Sequence, residues 1–357
     1  GRPWAPGAAS GVGSLPGEDP REAVRLVLGE LPGLPHLPEL PARGPGADLL
    51  GRTAALLVDL PVDLQPSGWR LVARPGRDLA RARDLLARDL DALEEGAAGY
   101  PGPLKVQAAG PWTLAAGLAL PRGEAALADP GATRDLVDSL AEGLRGHLAE
   151  LSRRVPGARW LLQLDEPGLP AVLAGRVPTA TGFATLPAVE PDSVRDGLTR
   201  VLAGLSAYPV VHCCAAAPPV RLLRAAGVAG LSLDAATLPG AGGGHGTQQA
   251  DRLEGEPAEA LEEALGEALS DGAGLLLGTV PATEADPAGR SGPPPPSASV
   301  AVARALWRRL GLDPADLPAQ VVLTPTCGLA GASPAYARRV LAHCQAAAAA
   351  LLEDPEG

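Results

Sequence analysis

Methionine, isoleucine and asparagine are absent from this sequence of 357 residues, and Lys105 is the only lysine among 30 basic residues. Aromatic residues make up 3% of the chain, whereas hydrophobic residues make up 46%. Aromatic side chains therefore cannot fill the interior, and we expect a core of leucine, valine and alanine. At this length the chain can form one large domain or two smaller ones.

Positive charge is also scarce, because 30 basic residues face 41 acidic residues and give a formal net charge of −11. Nucleic acids and anionic membrane surfaces both favour clustered positive charge, so we expect neither as a partner. No run of 18 or more apolar residues occurs, which argues against a membrane-spanning helix. The first residues show no basic segment followed by an apolar run, as a secretory signal would. We therefore expect a cytoplasmic protein.

Cysteine occurs four times, as Cys213, Cys214, Cys327 and Cys344. Two of these residues are adjacent, which does not suit a framework of structural disulfides. In a cytoplasmic protein such a set indicates metal binding or catalysis. A single buried cysteine is more often a small hydrophobic residue than a ligand, and this is our interpretation of Cys213 and Cys344.

Short apolar runs alternate with long amphipathic patterns, which is typical of a parallel sheet with crossover helices. Eight runs are predicted to be strands: residues 10–14, 70–73, 104–108, 160–165, 209–213, 230–234, 274–279 and 320–324. The amphipathic patterns predict helices over residues 78–95, 135–153, 192–205, 257–270, 297–310 and 334–352. Leucines recur at helical spacing in the first of these, with arginines between them.

Eight strands with interleaved helices predict an α/β fold, a single closed (β/α)8 TIM barrel over residues 1–357. An open, doubly wound sheet shows the same alternation and stays the alternative, because the pattern does not prove closure. Residues 31–46, 238–246 and 289–296 are rich in proline and glycine and are predicted to be loop insertions. The first of them follows the first strand, on the carboxyl-terminal face where such barrels place active sites.

Residues with metal-ligand chemistry occur where the predicted strands end. His212 and Cys214 end the fifth strand, Asp234 ends the sixth, and Cys327 follows the eighth. In a barrel these ends meet at one mouth, and imidazole, thiolate and carboxylate groups suit a tetrahedral Zn²⁺ ion. The H-x-C spacing places both ligands on one side of an extended segment and turns Cys213 away. The sequence therefore predicts a zinc site.

Other polar residues end the first and fourth strands, in the motifs GVGSLP and LDEP. With HCC, LSLD and PTCGL, these motifs occur in the order found in cobalamin-independent methionine synthases, which this chain resembles from Ser14 to Cys327. The resemblance implies a catalytic barrel that methylates homocysteine at a bound zinc ion. His212, Cys214 and Cys327 match the zinc ligands of that family, and Asp234 stands where the family has a glutamate, with a shorter reach.

The resemblance also implies substrate-binding residues. Ser14 and Asp165 match residues that hold the backbone of homocysteine, and Asp165 is our candidate catalytic residue. Glu166 lies beside it in the same motif and is a further substrate-binding candidate. Glu39, in LPELPARG, is the candidate for another family carboxylate at the substrate.

The methyl donor is where we expect a departure from the family. Full-length members carry an additional N-terminal barrel that helps to bind polyglutamylated folate, whereas this sequence resembles the catalytic C-terminal barrel alone. A polyglutamylated donor needs positive charge, and this chain is acidic with one lysine. We therefore expect methylcobalamin or a corrinoid protein as donor instead of methylfolate, with zinc as the resident cofactor.

Three alternatives stay open on the sequence alone. The acceptor thiol can belong to a coenzyme instead of homocysteine, although Asp165 favours an amino acid because it offers a carboxylate for an ammonium group. A barrel that binds zinc without catalysis is a second alternative, but structural zinc ligands usually lie close together in sequence. A metal-free decarboxylase on the porphyrinogen-processing barrel is the third, and it leaves His212, Cys214 and Cys327 unexplained.

Overall fold

Eight strands occur in the part of the chain that the computed structural model describes, residues 1–240, 258–284 and 292–357. They are Val62–Gln65 (β1), Gly68–Leu71 (β2), Pro103–Ala109 (β3), Arg159–Asp165 (β4), Tyr208–Cys213 (β5), Gly230–Asp234 (β6), Gly274–Val280 (β7) and Val321–Pro325 (β8). Strands β3 to β8 form one parallel sheet, in the order of the chain. Each of these six matches a predicted strand, because strands buried on both faces read as nearly continuous apolar runs.

Strands β1 and β2 form a separate antiparallel hairpin, with Gln65 opposite Gly68. The predicted barrel strand over residues 70–73 belongs to this hairpin, so that prediction is wrong. Only two residues connect the strands, and Gly68 has a φ of +118°, a conformation that other residues rarely adopt. So short a connection joins antiparallel neighbours, whereas parallel strands need a long crossover.

The predicted first strand, residues 10–14, is not a regular strand. Two irregular segments, residues 9–14 and 36–39, lie between β8 and β3 and are joined to them by isolated bridges. The regular strands therefore form a curled six-stranded sheet and not the predicted ring of eight. A side chain at Gly11 would lie 2.2 Å from the ring of His36, so the two segments approach each other closely only with glycine there. The bridges pair Ala9 with Leu323, Ser14 with Glu39 and His36 with Lys105.

Helices connect the strands and cover the outer face of the sheet. Among the described residues, the helices are Pro20–Glu30 (α1), Leu49–Ala54 (α2), Arg77–Gly96 (α3), Pro111–Gly117 (α4), Pro130–Arg154 (α5), Leu169–Leu173 (α6), Pro191–Leu202 (α7), Val220–Ala225 (α8), Ala258–Ser270 (α9), Pro296–Arg309 (α10), Leu317–Gln320 (α11) and Pro334–Glu353 (α12). All six predicted helices are present. Helix α5 begins five residues earlier than predicted, because Asp129 accepts the amide protons of Gly131 and Ala132 and Pro130 suits the first turn.

The interior of the curled sheet has an apolar layer at its amino-terminal end and polar residues above it. The apolar layer consists of Trp4, Ala8, Leu34, Leu161, Val210, Leu276 and Val322. Residues 31–46, predicted to be a loop insertion, supply Leu34 to this layer and Glu39 to the polar end. The two other predicted insertions lie partly outside the described residues. Within the described ranges, no helix is both long and apolar enough to cross a membrane.

Candidate metal and substrate site

Three side chains with metal-ligand chemistry meet at the carboxyl ends of β5 and β8. His212 lies on β5, Cys214 directly follows that strand, and Cys327 lies two residues after β8. Their ligand atoms are all within 4.8 Å of one another, and the two sulfur atoms are 3.9 Å apart. Two thiolates bound at ~2.3 Å to a tetrahedral zinc ion lie about 3.8 Å apart, so the sulfur spacing fits this ion.

The ring of His212 is oriented by the neighbouring strand. His212 is 4% exposed, and its Nδ1 atom lies 3.0 Å from the hydroxyl oxygen of Ser232 on β6. Its Nε2 atom is buried and has no hydrogen-bond partner among the described residues. A buried imidazole nitrogen without a partner costs free energy, and binding a metal would satisfy it. The donor set therefore fits zinc.

The thiol pKa values of the two site cysteines are shifted in opposite directions. The contact with Cys214, together with the nearby His212 ring, lowers the pKa of Cys327 to about 4. The contact with Cys327, together with burial, raises the pKa of Cys214. A divalent cation held between the sulfur atoms would favour the loss of both thiol protons.

The two other cysteines are packed in the core. Cys213 is buried on the opposite side of β5 from its neighbours, and burial raises its pKa to about 12. Cys344 is fully buried on α12, where burial also raises its pKa. Neither lies in the group of three ligand residues, as the alternation of side chains predicted for Cys213.

Asp234 lies next to this group but not within it. It ends β6, and its Oδ1 atom accepts the amide proton of Ala236 at 2.8 Å. Burial raises the pKa of Asp234, and the negative charge of Cys327 adds to this effect. The structure therefore brings three of the four predicted zinc ligands together, and the carboxylate of Asp234 caps a short turn beside them.

Asp165 lies directly beside the predicted metal ligands. It ends β4, and the strand register places it opposite His212 on β5. Its carboxylate is nearly buried and accepts a hydrogen bond from Gln163 at 2.7 Å. Burial raises the pKa of Asp165, whereas the positive charges of His212 and Lys105 oppose this shift.

Glu39 is a second carboxylate of the same site. Its Oε1 atom lies 3.4 Å from the amide nitrogen of Gln107 and 3.8 Å from Nε of Arg52. Burial raises the pKa of Glu39 to about 7, the charge of Arg52 lowers it, and the negative charge of Asp165 raises it further. The ionised forms of these two carboxylates repel each other, and a nearby cation would offset this repulsion.

Ser14 lies between Glu39 and the loop that carries Cys327. It bridges to Glu39, and its carbonyl oxygen accepts the amide proton of Leu329 at 2.8 Å. A side chain at Gly328 would lie 2.1 Å from the Ser14 hydroxyl, so this hydroxyl is next to the Cys327 loop. The structure thus brings Ser14, Glu39 and Asp165 to the end of the sheet where the ligand residues lie.

Glu166 is fully buried and its carboxylate is already engaged. It accepts the amide protons of Trp112 at 2.9 Å and Thr113 at 2.8 Å, and the Thr113 hydroxyl donates to it at 2.7 Å. These residues form the first turn of α4, so Glu166 holds this helix against β4. Burial raises the pKa of Glu166 to about 7, and the three donors oppose this shift. A side chain at Gly110 would collide with this carboxylate.

Sequence reasoning missed the polar residues one layer below the site. Ser232 lies two residues before Asp234, Gln163 lies two before Asp165, and Lys105 lies on the neighbouring strand β3. Residues two apart on a strand share a face, so this spacing was the available signal. A cavity of about 670 Å³ elsewhere, between α5 and α7, is lined by none of the site residues.

No family model and no curated protein matches this chain. Among solved structures, it is similar to a B12-independent methionine synthase from Shewanella sp. W3-18-1 in complex with selenomethionine, with a TM-score of 0.57 and 15% identity over 98% of this chain and 99% of that one. GH5_18 from Streptomyces cattleya in complex with GlcNAc gives a TM-score of 0.46 and 18% identity, over 97% of this chain and 80% of that one. At such low identity the first similarity shows the fold alone.

Proposed function

We propose that this protein is a zinc-dependent methyltransferase that moves a methyl group to the thiol of homocysteine and forms methionine. The observation that carries the proposal is the meeting of the His212, Cys214 and Cys327 ligand atoms within 4.8 Å. The similarity in fold to a methionine synthase supports it. That neighbour holds selenomethionine, the selenium analogue of the product proposed here.

His212, Cys214 and Cys327 would hold the metal, and either Asp234 or water would be a fourth ligand that the substrate sulfur can displace. Zinc bound there would supply a Lewis acid that keeps the substrate sulfur in its nucleophilic thiolate form. The thiolates of Cys214 and Cys327 would supply negative charge to the centre, which would preserve the nucleophilicity of that sulfur. Ser232 keeps the His212 ring in the orientation that presents Nε2.

The carboxylates of Asp165 and Glu39 would bind the ammonium group of homocysteine. Both are nearly buried, and the charge of Asp165 raises the pKa of Glu39, so a cation between them offsets their repulsion. The hydroxyl of Ser14, with nearby backbone N–H groups, would take the substrate carboxylate. These contacts orient the amino acid so that its sulfur reaches the metal and the donor methyl group.

We propose methylcobalamin, free or carried by a corrinoid protein, as the methyl donor, and the cytoplasm as the place of the reaction. A polyglutamylated folate carries several carboxylates, and the only lysine of this chain, Lys105, is fully buried. The net charge of −11 also disfavours such a donor. Neither nucleic acid nor membrane belongs to the proposed function.

The test is methionine formation by zinc-loaded protein with homocysteine and one donor at a time, at equal concentrations of methylcobalamin and methylfolate polyglutamate. We expect turnover with methylcobalamin and little or none with the folate. Turnover with the folate alone would overturn the proposed donor but leave the methyltransferase assignment intact. If homocysteine is inactive with both donors while a coenzyme thiol is methylated, the proposed acceptor is wrong. The Cys327→Ser variant is the control for metal dependence.

A further inference from the structure

The only lysine of the chain is buried inside the curled sheet and belongs to no role described so far. Lys105 lies on β3 with 0% exposure. Its Nζ atom donates to the carbonyl oxygen of Val12 at 2.7 Å and to Oε1 of Gln163 at 2.8 Å. Burying a lysine is costly, so a lysine in this place needs compensating contacts or a function.

The contact with Lys105 determines the orientation of the Gln163 amide. A protonated lysine side chain has hydrogen-bond donors but no acceptor, so the amide oxygen of Gln163 must face it. The amide nitrogen then faces the other way and donates to Oδ1 of Asp165 at 2.7 Å and to the Val12 carbonyl at 3.0 Å. Oδ2 of Asp165 accepts no hydrogen bond from a described residue, so one carboxylate oxygen is free for a ligand.

We propose that Lys105, acting through Gln163, is a positioning residue that orients Asp165 to bind the ammonium group of an amino-acid substrate. This inference rests on the proposed function. Because one amide separates the lysine from the carboxylate, Lys105 orients Asp165 without occupying the oxygen that the substrate needs. The same two side chains donate to the Val12 carbonyl, two residues before Ser14, and so connect Asp165 with the segment that carries Ser14.

The charges around Lys105 are consistent with this role. Burial lowers the pKa of Lys105 to about 7, and the negative charges of Asp165 and Glu39 oppose this shift. In turn, the positive charge of Lys105 lowers the pKa of both carboxylates. The lysine thus favours the ionised carboxylates that an ammonium group requires.

The test compares two thiols that differ only in the amino group. Binding of homocysteine and of 4-mercaptobutanoate to zinc-loaded protein is measured by calorimetry, for wild type and for Gln163→Met. We expect the variant to bind homocysteine about 10- to 100-fold more weakly, as expected for loss of a hydrogen bond to a charged group. Its affinity for 4-mercaptobutanoate and for zinc should change by less than about twofold. Gln320→Met, which removes a buried amide that donates to the carbonyl oxygens of Leu269 and Ala273, is the matched control and should change the affinity for neither thiol.

Because Gln163→Met leaves Lys105 with one partner, the double variant Lys105→Met with Gln163→Met provides a second test in which the buried lysine charge is removed together with its amide partner. It should show the same selective loss. In an Asp165→Asn background, Gln163→Met should weaken homocysteine binding no further, because it acts through Asp165. An equal loss of affinity for both thiols, or no loss of affinity for homocysteine, would overturn this inference and leave the proposed function intact. A wild-type protein that binds 4-mercaptobutanoate as well as it binds homocysteine would instead overturn the proposed amino-acid acceptor, and this inference with it.

Discussion

The imidazole of His212 and the hydroxyl of Ser232 lie on adjacent strands, with Nδ1 3.0 Å from Oγ. The register of β5 and β6 pairs these two residues directly, so the contact is a consequence of the sheet itself. With a metal on Nε2, Nδ1 would carry the ring proton and donate a hydrogen bond to the hydroxyl oxygen of Ser232. The strand pairing thereby selects the nitrogen that is available to the metal.

Removal of the Ser232 hydroxyl should weaken zinc binding without removing a ligand. We expect Ser232→Ala to lower the zinc affinity by about tenfold, because the His212 ring loses its orienting partner. Competition with a chromogenic chelator measures this affinity. Ser139→Ala, which removes another buried hydroxyl that donates to Val58, is the matched control and should leave the affinity unchanged. Equal zinc affinity in wild type and Ser232→Ala would contradict the role of Ser232.

The four cysteines should differ in their effect on metal content. Wild-type protein should hold about one zinc ion per chain, as expected for a single site. Cys214→Ser and Cys327→Ser should each lose most of it, because both sulfur atoms belong to the group of ligand residues. Cys344→Ser should retain its zinc, since Cys344 is buried on α12. Metal analysis of the purified variants measures the zinc content. Full retention of zinc by Cys327→Ser would show that Cys327 is not a ligand.

Asp165→Asn should impair substrate binding but not metal binding. The change removes the negative charge proposed to pair with the substrate ammonium, at a cost on the order of 2–4 kcal/mol of binding free energy. Calorimetry with homocysteine and 4-mercaptobutanoate separates the contribution of the amino group. Equal affinity of the wild-type protein for the two thiols would favour a coenzyme thiol as acceptor.

Glu166→Gln should reduce stability instead of substrate affinity. Glu166 accepts three hydrogen bonds from the first turn of α4, and replacing one oxygen by an NH₂ group disrupts some of them. We expect a loss of about 1–3 kcal/mol in the free energy of unfolding, measured with urea. Glu142→Gln, at an exposed ion pair on α5, is the control and should change little. Weaker homocysteine binding at unchanged stability would instead indicate that Glu166 binds the substrate, as the sequence predicted.

Acid should destabilise the fold in part through His147 on α5. Burial lowers the pKa of this imidazole to about 3, and the charge of Arg52 adds to the shift. The unfolded chain takes up a proton below about pH 6.5 that the folded protein does not bind. The contribution of neutral His147 to the free energy of unfolding is therefore fully present above about pH 6.5, and it decreases as the pH falls toward 3.

Between pH 6.5 and 4.5, His147 should lower the free energy of unfolding by about 2–3 kcal/mol. Urea unfolding at several pH values, for wild type and His147→Gln, measures it. The variant should show a smaller decrease with acidification, whatever its overall stability. Parallel decreases in the two proteins would show that His147 is not held neutral.

Local patterns along the chain determined the six central strands and the candidate ligands. Buried parallel strands are continuous apolar runs, so β3 to β8 were predictable from the sequence, and β6 was predicted with its observed ends. Because the carboxyl ends of parallel strands lie at one edge of a sheet, His212, Cys214 and Cys327 were predictable as neighbours before their distances were known. The H-x-C spacing also predicted the burial of Cys213 away from them.

Only the tertiary structure decided which partner each remaining segment has. Of residues 70–73, only Arg70 and Leu71 belong to a strand, the second strand of a hairpin. Residues 9–14 form isolated bridges, because their pairing depends on segments far along the chain. Glu166 follows Asp165 directly, yet its carboxylate caps α4, since adjacent residues on an extended chain face opposite sides. The contacts of Lys105 with Val12 and Gln163 join residues 93 and 58 positions apart. Periodicity determines which side of an element a residue faces, but the partner on that side is set by the packing of the whole chain.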